Sequence, residues 1–170
     1  MEDKIPTSLS KKRILVIDDQ GAIRVVFSTF LKDIGFQHVD CAMDGKDALK
    51  LMRIYPYDLI ICDWVMPKLS GLELLVMLRN SEQAKEIPFI MATSTSDTED
   101  VKQAIDAGVT DYIIKPFQPL QLKQKVISHL SKSDYKSQKI NLKQEKSGKD
   151  EEFDLDKSEQ EVEAQSSKAE

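Results

Sequence analysis

Two hydrophobic patterns alternate along the first 130 residues. In one, apolar residues stand together, as in Ile14-Leu15-Val16-Ile17, Leu59-Ile60-Ile61-Cys62, Phe89-Ile90-Met91-Ala92 and Tyr112-Ile113-Ile114. All four read as strands, and the Leu59 run, ending in Asp63, reads as one buried on both faces, the usual state of a central strand in a parallel sheet. His38-Val39-Asp40-Cys41-Ala42 is a weaker run and predicts a strand nearer an edge.

In the other pattern, apolar residues recur at helical spacing. Ile23, Val26, Phe27, Phe30, Leu31 and Ile34 form one stripe, stopped by Gly35. Ala48, Leu49 and Met52 form a second, capped by Asp44 and broken at Tyr55-Pro56. Leu72, Leu74, Leu75, Met77 and Leu78 follow the cap residue Ser70 and end near Asn80-Ser81. Val101, Ala104, Ile105 and Ala107 make a short helix between a Ser96/Glu99 capping box and Gly108. Pro119 opens the last helix, through Leu120, Leu122, Val126, Ile127 and Leu130.

Five strands alternating with five helices through short loops predict an α/β fold, a doubly wound five-stranded parallel sheet with helices on both faces. Beyond Ser131, Lys, Ser, Gln and Glu dominate and the apolar stripe fades. The expected organisation is a flexible N-terminus over 1–11, one globular domain over 12–131 and a disordered charged tail over 132–170.

A chain of 170 residues that is 41% hydrophobic can bury one full core. Its formal charge of -5 argues against non-specific nucleic-acid binding, which needs a basic face. No run approaches the length of a membrane span, and residues 1–10 lack the apolar centre of a signal peptide, so a cytoplasmic protein without membrane insertion is expected. Cys41 and Cys62 fall inside strands and read as buried reduced thiols; His38 and His129 read as surface residues.

Asp18, Asp19, Asp63, Thr93 and Lys115 all stand at the C-terminal ends of predicted strands. One edge of the sheet therefore collects three carboxylates, a hydroxyl and an ammonium, at the crevice where open α/β sheets bind ligands. Carboxylates this close repel one another unless a cation holds them. Magnesium, a hard ion that takes oxygen ligands, fits this set; zinc finds no suitable His or Cys partners. A carboxylate beside magnesium and lysine is equipped to attack a phosphoryl group, with Asp63 as nucleophile.

The sequence Asp18-Asp19, Asp63 followed by Met66-Pro67, Thr93-Ser94 and Lys115-Pro116-Phe117 resembles the receiver domains of two-component response regulators, chemotaxis regulators among them, from about Lys12 to Leu130. The resemblance implies a flavodoxin-like fold with strand order 2-1-3-4-5. It implies that Asp63 is the phosphoacceptor, that Asp19 binds magnesium directly and Asp18 largely through water, and that the Val65 backbone carbonyl is a further ligand. Lys115 would pair with the phosphoryl oxygens, and its peptide bond to Pro116 would be cis. Thr93 would swing onto the phosphate with Tyr112 following it, and the surface from Thr98 to Leu130 would carry the output. A sensor histidine kinase and a downstream protein target are the implied partners. Val65 and Thr95 replace a polar and an acidic residue frequent in chemotaxis regulators, which implies a different phosphoryl lifetime.

With no second globular domain evident, the expected function is that of a stand-alone regulator in chemotaxis or flagellar-motor control, or else of a phosphorelay shuttle; it is not expected to act as an enzyme on external substrates. Phosphohydrolases of the haloacid dehalogenase type carry a second aspartate two residues after the nucleophile, where this chain has Val65. An unphosphorylated docking module is a third reading, at odds with the five site residues. In the tail, Phe153 and Leu155 stand among acids from Asp150 to Asp156, a pattern of solvated tails that docking segments also use.

Overall fold

The computed structural model of the chain describes residues 4–94 and 98–144. Five parallel strands, β1 (Arg13–Ile17), β2 (His38–Ala42), β3 (Leu59–Asp63), β4 (Phe89–Thr93) and β5 (Asp111–Ile114), form one sheet in the order β2-β1-β3-β4-β5. The weak apolar run is thus an edge strand, and β3 and β4, apolar up to their last residues Asp63 and Thr93, are interior and buried throughout. Helices α1 (Gly21–Asp33), α2 (Gly45–Ile54), α3 (Gly71–Asn80), α4 (Thr98–Asp106) and α5 (Pro119–Gln144) make the connections.

Successive side chains of a strand point to opposite faces, and the sheet accordingly has two cores. Ile14, Val16, Leu59 and Ile61 pack with Phe27 and Leu31 of α1 and Leu122, Val126 and Leu130 of α5. Leu15, Ile17, Ile60 and Met91 pack on the other side with Leu49 of α2 and Leu74, Leu75 and Leu78 of α3. Two caps hold as expected: Asp44 accepts from the Asp47 amide, and Ser70 with Glu73 forms a capping box. Ser96 of the expected third cap, like Thr95, lies outside the described residues.

Several expectations need correction. Val26, Ile105 and Leu120 are 51%, 61% and 58% exposed rather than part of the inward stripes. Consecutive helical residues are about 100° apart; Phe27 and Ala104 take the inward positions, and their neighbours Val26 and Ile105 turn out. Cys41 is exposed, as its edge strand allows, whereas Cys62 is buried and burial pushes its thiol well up. His129 is no bare surface residue, since its Nε2 lies 2.9 Å from Asp111 Oδ2.

Within the supposedly flexible 1–11 segment, Ile5 and Leu9 are buried and the Ile5 amide donates to the Ile34 carbonyl at 2.9 Å. Gly35 permits this: it has φ +118°, and a side chain there would meet Ile5 at 3.2 Å. At the other end α5 continues past Leu130 to Gln144, because the sequence from 131 to 144 holds no proline or glycine to stop it. The expected docking pattern at Phe153 and Leu155 lies outside the described residues.

Candidate functional site

Parallel registration brings the strand ends level: Ile17 pairs with Cys62, Asp63 with Ala92, and Thr93 with Ile114. Asp18, Asp63, Thr93 and Lys115, which end or directly follow strands, therefore gather at one crevice. Asp18 extends β1 by donating its amide to the Ala42 carbonyl at 3.2 Å, and its side chain is buried. Asp19, next in the turn, is exposed. Asp63 closes β3, and Gly71 donates to the Trp64 carbonyl at 3.0 Å, folding the following loop tightly over that strand end.

Oxygen atoms of Asp18, Asp19 and Asp63 lie within 4.8 Å of one another. Lys115 reaches them from the end of β5, with Nζ donating to Asp63 Oδ1 at 2.7 Å and to Asp18 Oδ2 at 3.1 Å. Its amide donates to the Thr93 carbonyl at 2.7 Å, and its bond to Pro116 is cis. Phe117 then stacks on Phe27 with ring centroids 4.4 Å apart, tying this loop to α1. A cleft of about 480 Å³ opens over the cluster, lined by Asp19, Asp63, Trp64, Val65, Thr93 and Lys115 among others.

Burial raises the Asp63 carboxyl above its ordinary range; the Asp18 charge adds to this, and Lys115 opposes it. Burial alone would lower Lys115, yet the bonds to Asp63 and Asp18 outweigh it and hold the ammonium charged. The cluster thus carries more negative charge than its lysine offsets: Asp18, Asp19 and Asp63 converge, and the half-buried Lys115 pairs with Asp18 and Asp63. Its donors are all hard oxygens, which suits magnesium, and the Cys62 sulfur is engaged with the Asp63 carbonyl at 3.3 Å.

The structure brings together Asp18, Asp19, Asp63 and Lys115, with Thr93 buried and Val65 exposed at the cleft. Tyr112 stands apart: it is 39% exposed on β5, its ring beneath Lys125 Nζ at 5.7 Å. Three residues that sequence reasoning passed over also shape the site. Arg24 grips the Asp18-Asp19 turn, Gly71 allows close approach to Asp63, and Lys68 bonds the α2 cap Asp44 at 2.8 Å from the β3–α3 loop. Only Gly71 left a signal, as a glycine after the cap Ser70.

The family model for the response regulator receiver domain matches residues 14–127. The chain belongs to the response regulator receiver family. Over 114 residues this receiver is 36% identical to chemotaxis protein CheY-3 of Vibrio cholerae serotype O1, covering 67% of this chain and 88% of that protein. Vibrio cholerae CheY4 has the same fold, with a TM-score of 0.65 at 32% identity, covering 68% of this chain and 96% of that one. The receiver domain of a sensor histidine kinase from Pseudomonas aeruginosa PAO1, solved with a magnesium ion coordinated in its active-site cleft, gives a TM-score of 0.66 at 26% identity, covering 71% of this chain and 98% of that one.

Receiver domains are signalling proteins rather than classical enzymes, act with histidine kinases and downstream targets, and typically bind magnesium in an acidic pocket. In this receiver Asp18, Asp19 and Asp63 form an acidic cluster. Among the described residues, no helix is long and apolar enough to cross a membrane.

Proposed function

We propose that this receiver is a phosphorylated switch that takes a phosphoryl group from a histidine kinase onto Asp63 and signals by protein contact. The observation that carries the reading is the convergence of Asp18, Asp19 and Lys115 on the Asp63 carboxylate. Asp18, Asp19 and Asp63, with the Val65 carbonyl, hold the metal. A magnesium ion held there would supply charge neutralisation for the oxygens of the incoming phosphoryl group. An Asp63 oxygen attacks phosphorus, the bond from phosphorus to the donor nitrogen breaks, and the donor imidazole keeps the electron pair. Lys115 shifts its hydrogen bond from Asp63 to the phosphoryl oxygens, so its charge stays in the site.

Thr93, buried at the rim of the cleft, then bonds the phosphoryl group, and Tyr112 turns inward from its exposed position. The surface made by α4, β5 and α5 changes shape with them. Ile105, Tyr112, Ile114 and Leu120 expose apolar area on these elements, which suits a protein partner. The similarity to chemotaxis proteins favours control of chemotaxis or the flagellar motor, in the cytoplasm, over a phosphorelay shuttle.

Acetyl phosphate with MgCl2 is the test, read by intact mass. One phosphoryl group is expected on the wild-type chain, none in EDTA and none on Asp63→Asn. Labelling of the asparagine variant, or labelling that ignores EDTA, overturns the reading.

A further inference from the structure

Arg24 occupies a position that helix electrostatics disfavour. It is the fourth residue of α1, close to the end where the macrodipole is positive, and the first turn carries no acid to offset it. Helical side chains lean toward the N-terminus, and Arg24 uses that lean to reach back over the β1–α1 turn. Its Nη1 donates to the Asp18 carbonyl at 2.6 Å and to the Asp19 carbonyl at 3.1 Å. One guanidinium thus fastens both peptide units from which the first two carboxylates of the cluster depart. On the inner side Asp18 Oδ1 accepts from the Gln20 amide at 2.9 Å, closing the turn a second time. Asp19 is the exposed member of the cluster, so the backbone of this turn, rather than packing, sets the direction of its carboxylate.

We infer that Arg24 is a positioning residue for the divalent-cation site, fixing the Asp18 and Asp19 carbonyls so that their carboxylates leave the turn toward Asp63. The inference rests on the reading of this cluster as a cation site. Its sign separates it from simpler roles. Through space, a guanidinium this near repels a divalent cation, so charge alone predicts tighter magnesium binding when Arg24 is removed. A positioning role predicts weaker binding, because the ligand pair is no longer held; groups that orient metal ligands are worth about tenfold or more in affinity.

Magnesium titrations of the full chain, followed by fluorescence of Trp64, the one tryptophan and a cleft residue, make the test with thermal melts in parallel. Arg24→Ala and Arg24→Gln are expected to raise the magnesium Kd about tenfold. Arg24→Lys, which keeps a single donor group, is expected to fall between them and wild type. Acetyl-phosphate labelling of the variants slows at low magnesium and recovers at saturation. Equal or tighter magnesium binding by folded Arg24→Ala overturns the inference while leaving the cation site standing, and so does a loss of melting temperature at unchanged Kd. Arg24→Gln decides in the same way if the alanine variant does not fold. A wild-type chain that neither binds magnesium nor takes a phosphoryl group overturns the underlying reading, and the inference falls with it.

Discussion

Gly71 has no room for even one more carbon. A Cβ built there would stand 2.1 Å from the Asp63 carbonyl oxygen and 3.0 Å from Met91 Sδ, and neither the strand backbone nor the buried sulfur can move aside freely. Gly71→Ala is expected to cost about 1–3 kcal/mol in urea unfolding, with slower labelling of Asp63. Asp111 makes a different case. Burial alone would raise its carboxyl, but bonds to Lys125 at 2.6 Å and to His129 at 2.9 Å more than offset it and hold the carboxyl below the usual range. A folded-state value below the unfolded one gives stability that is complete above the ordinary aspartate value and is lost as pH falls through the folded value. Acid unfolding of Asp111→Asn should therefore be flatter with pH, and the variant should lose about 1 kcal/mol at neutral pH. Residue pairs of this kind were not legible in the sequence. Nothing in the spacing of Asp111 and His129 declares that a strand start and a helix face will meet.

At the level of elements, the strands were the most legible feature, because a short apolar run packs well in a sheet; its place there was less so, since Tyr112-Ile113-Ile114 is an edge strand with Tyr112 and Ile114 exposed. Their C-terminal ends then named the site, since parallel strands in register bring Asp18, Asp63, Thr93 and Lys115 to one edge. Helix faces were read too broadly: Val26, Ile105 and Leu120 are apolar, yet only one arc of each helix meets the sheet. Helix ends were harder still. The apolar stripe read from the sequence fades after Leu130, but the helix runs on to Gln144, since no proline or glycine between them breaks it. Leu130 is the last core residue of α5 among the described side chains, and a chain truncated after Ser131 should keep its melting temperature and its Asp63 labelling; loss of either would move the domain boundary into the extension.

For the molecule as a whole, magnesium is expected to act as a stabiliser. A ligand that binds only the folded chain adds about 2.7 kcal/mol at about a hundred times its dissociation constant. Differential scanning calorimetry should show the transition rise with MgCl2 and return with EDTA. Asp63→Asn, which loses one carboxylate charge, should show a smaller rise.

The bond between Lys115 and Asp18 spans 97 residues of chain. Contacts of such separation close large loops and form late, after most of the entropy of the unfolded chain has been lost. A nascent or half-folded copy has its first two acids but not their lysine, and no geometry for transfer. On the proposed reading, transfer to Asp63 is therefore open only to molecules whose first and last strands have already met.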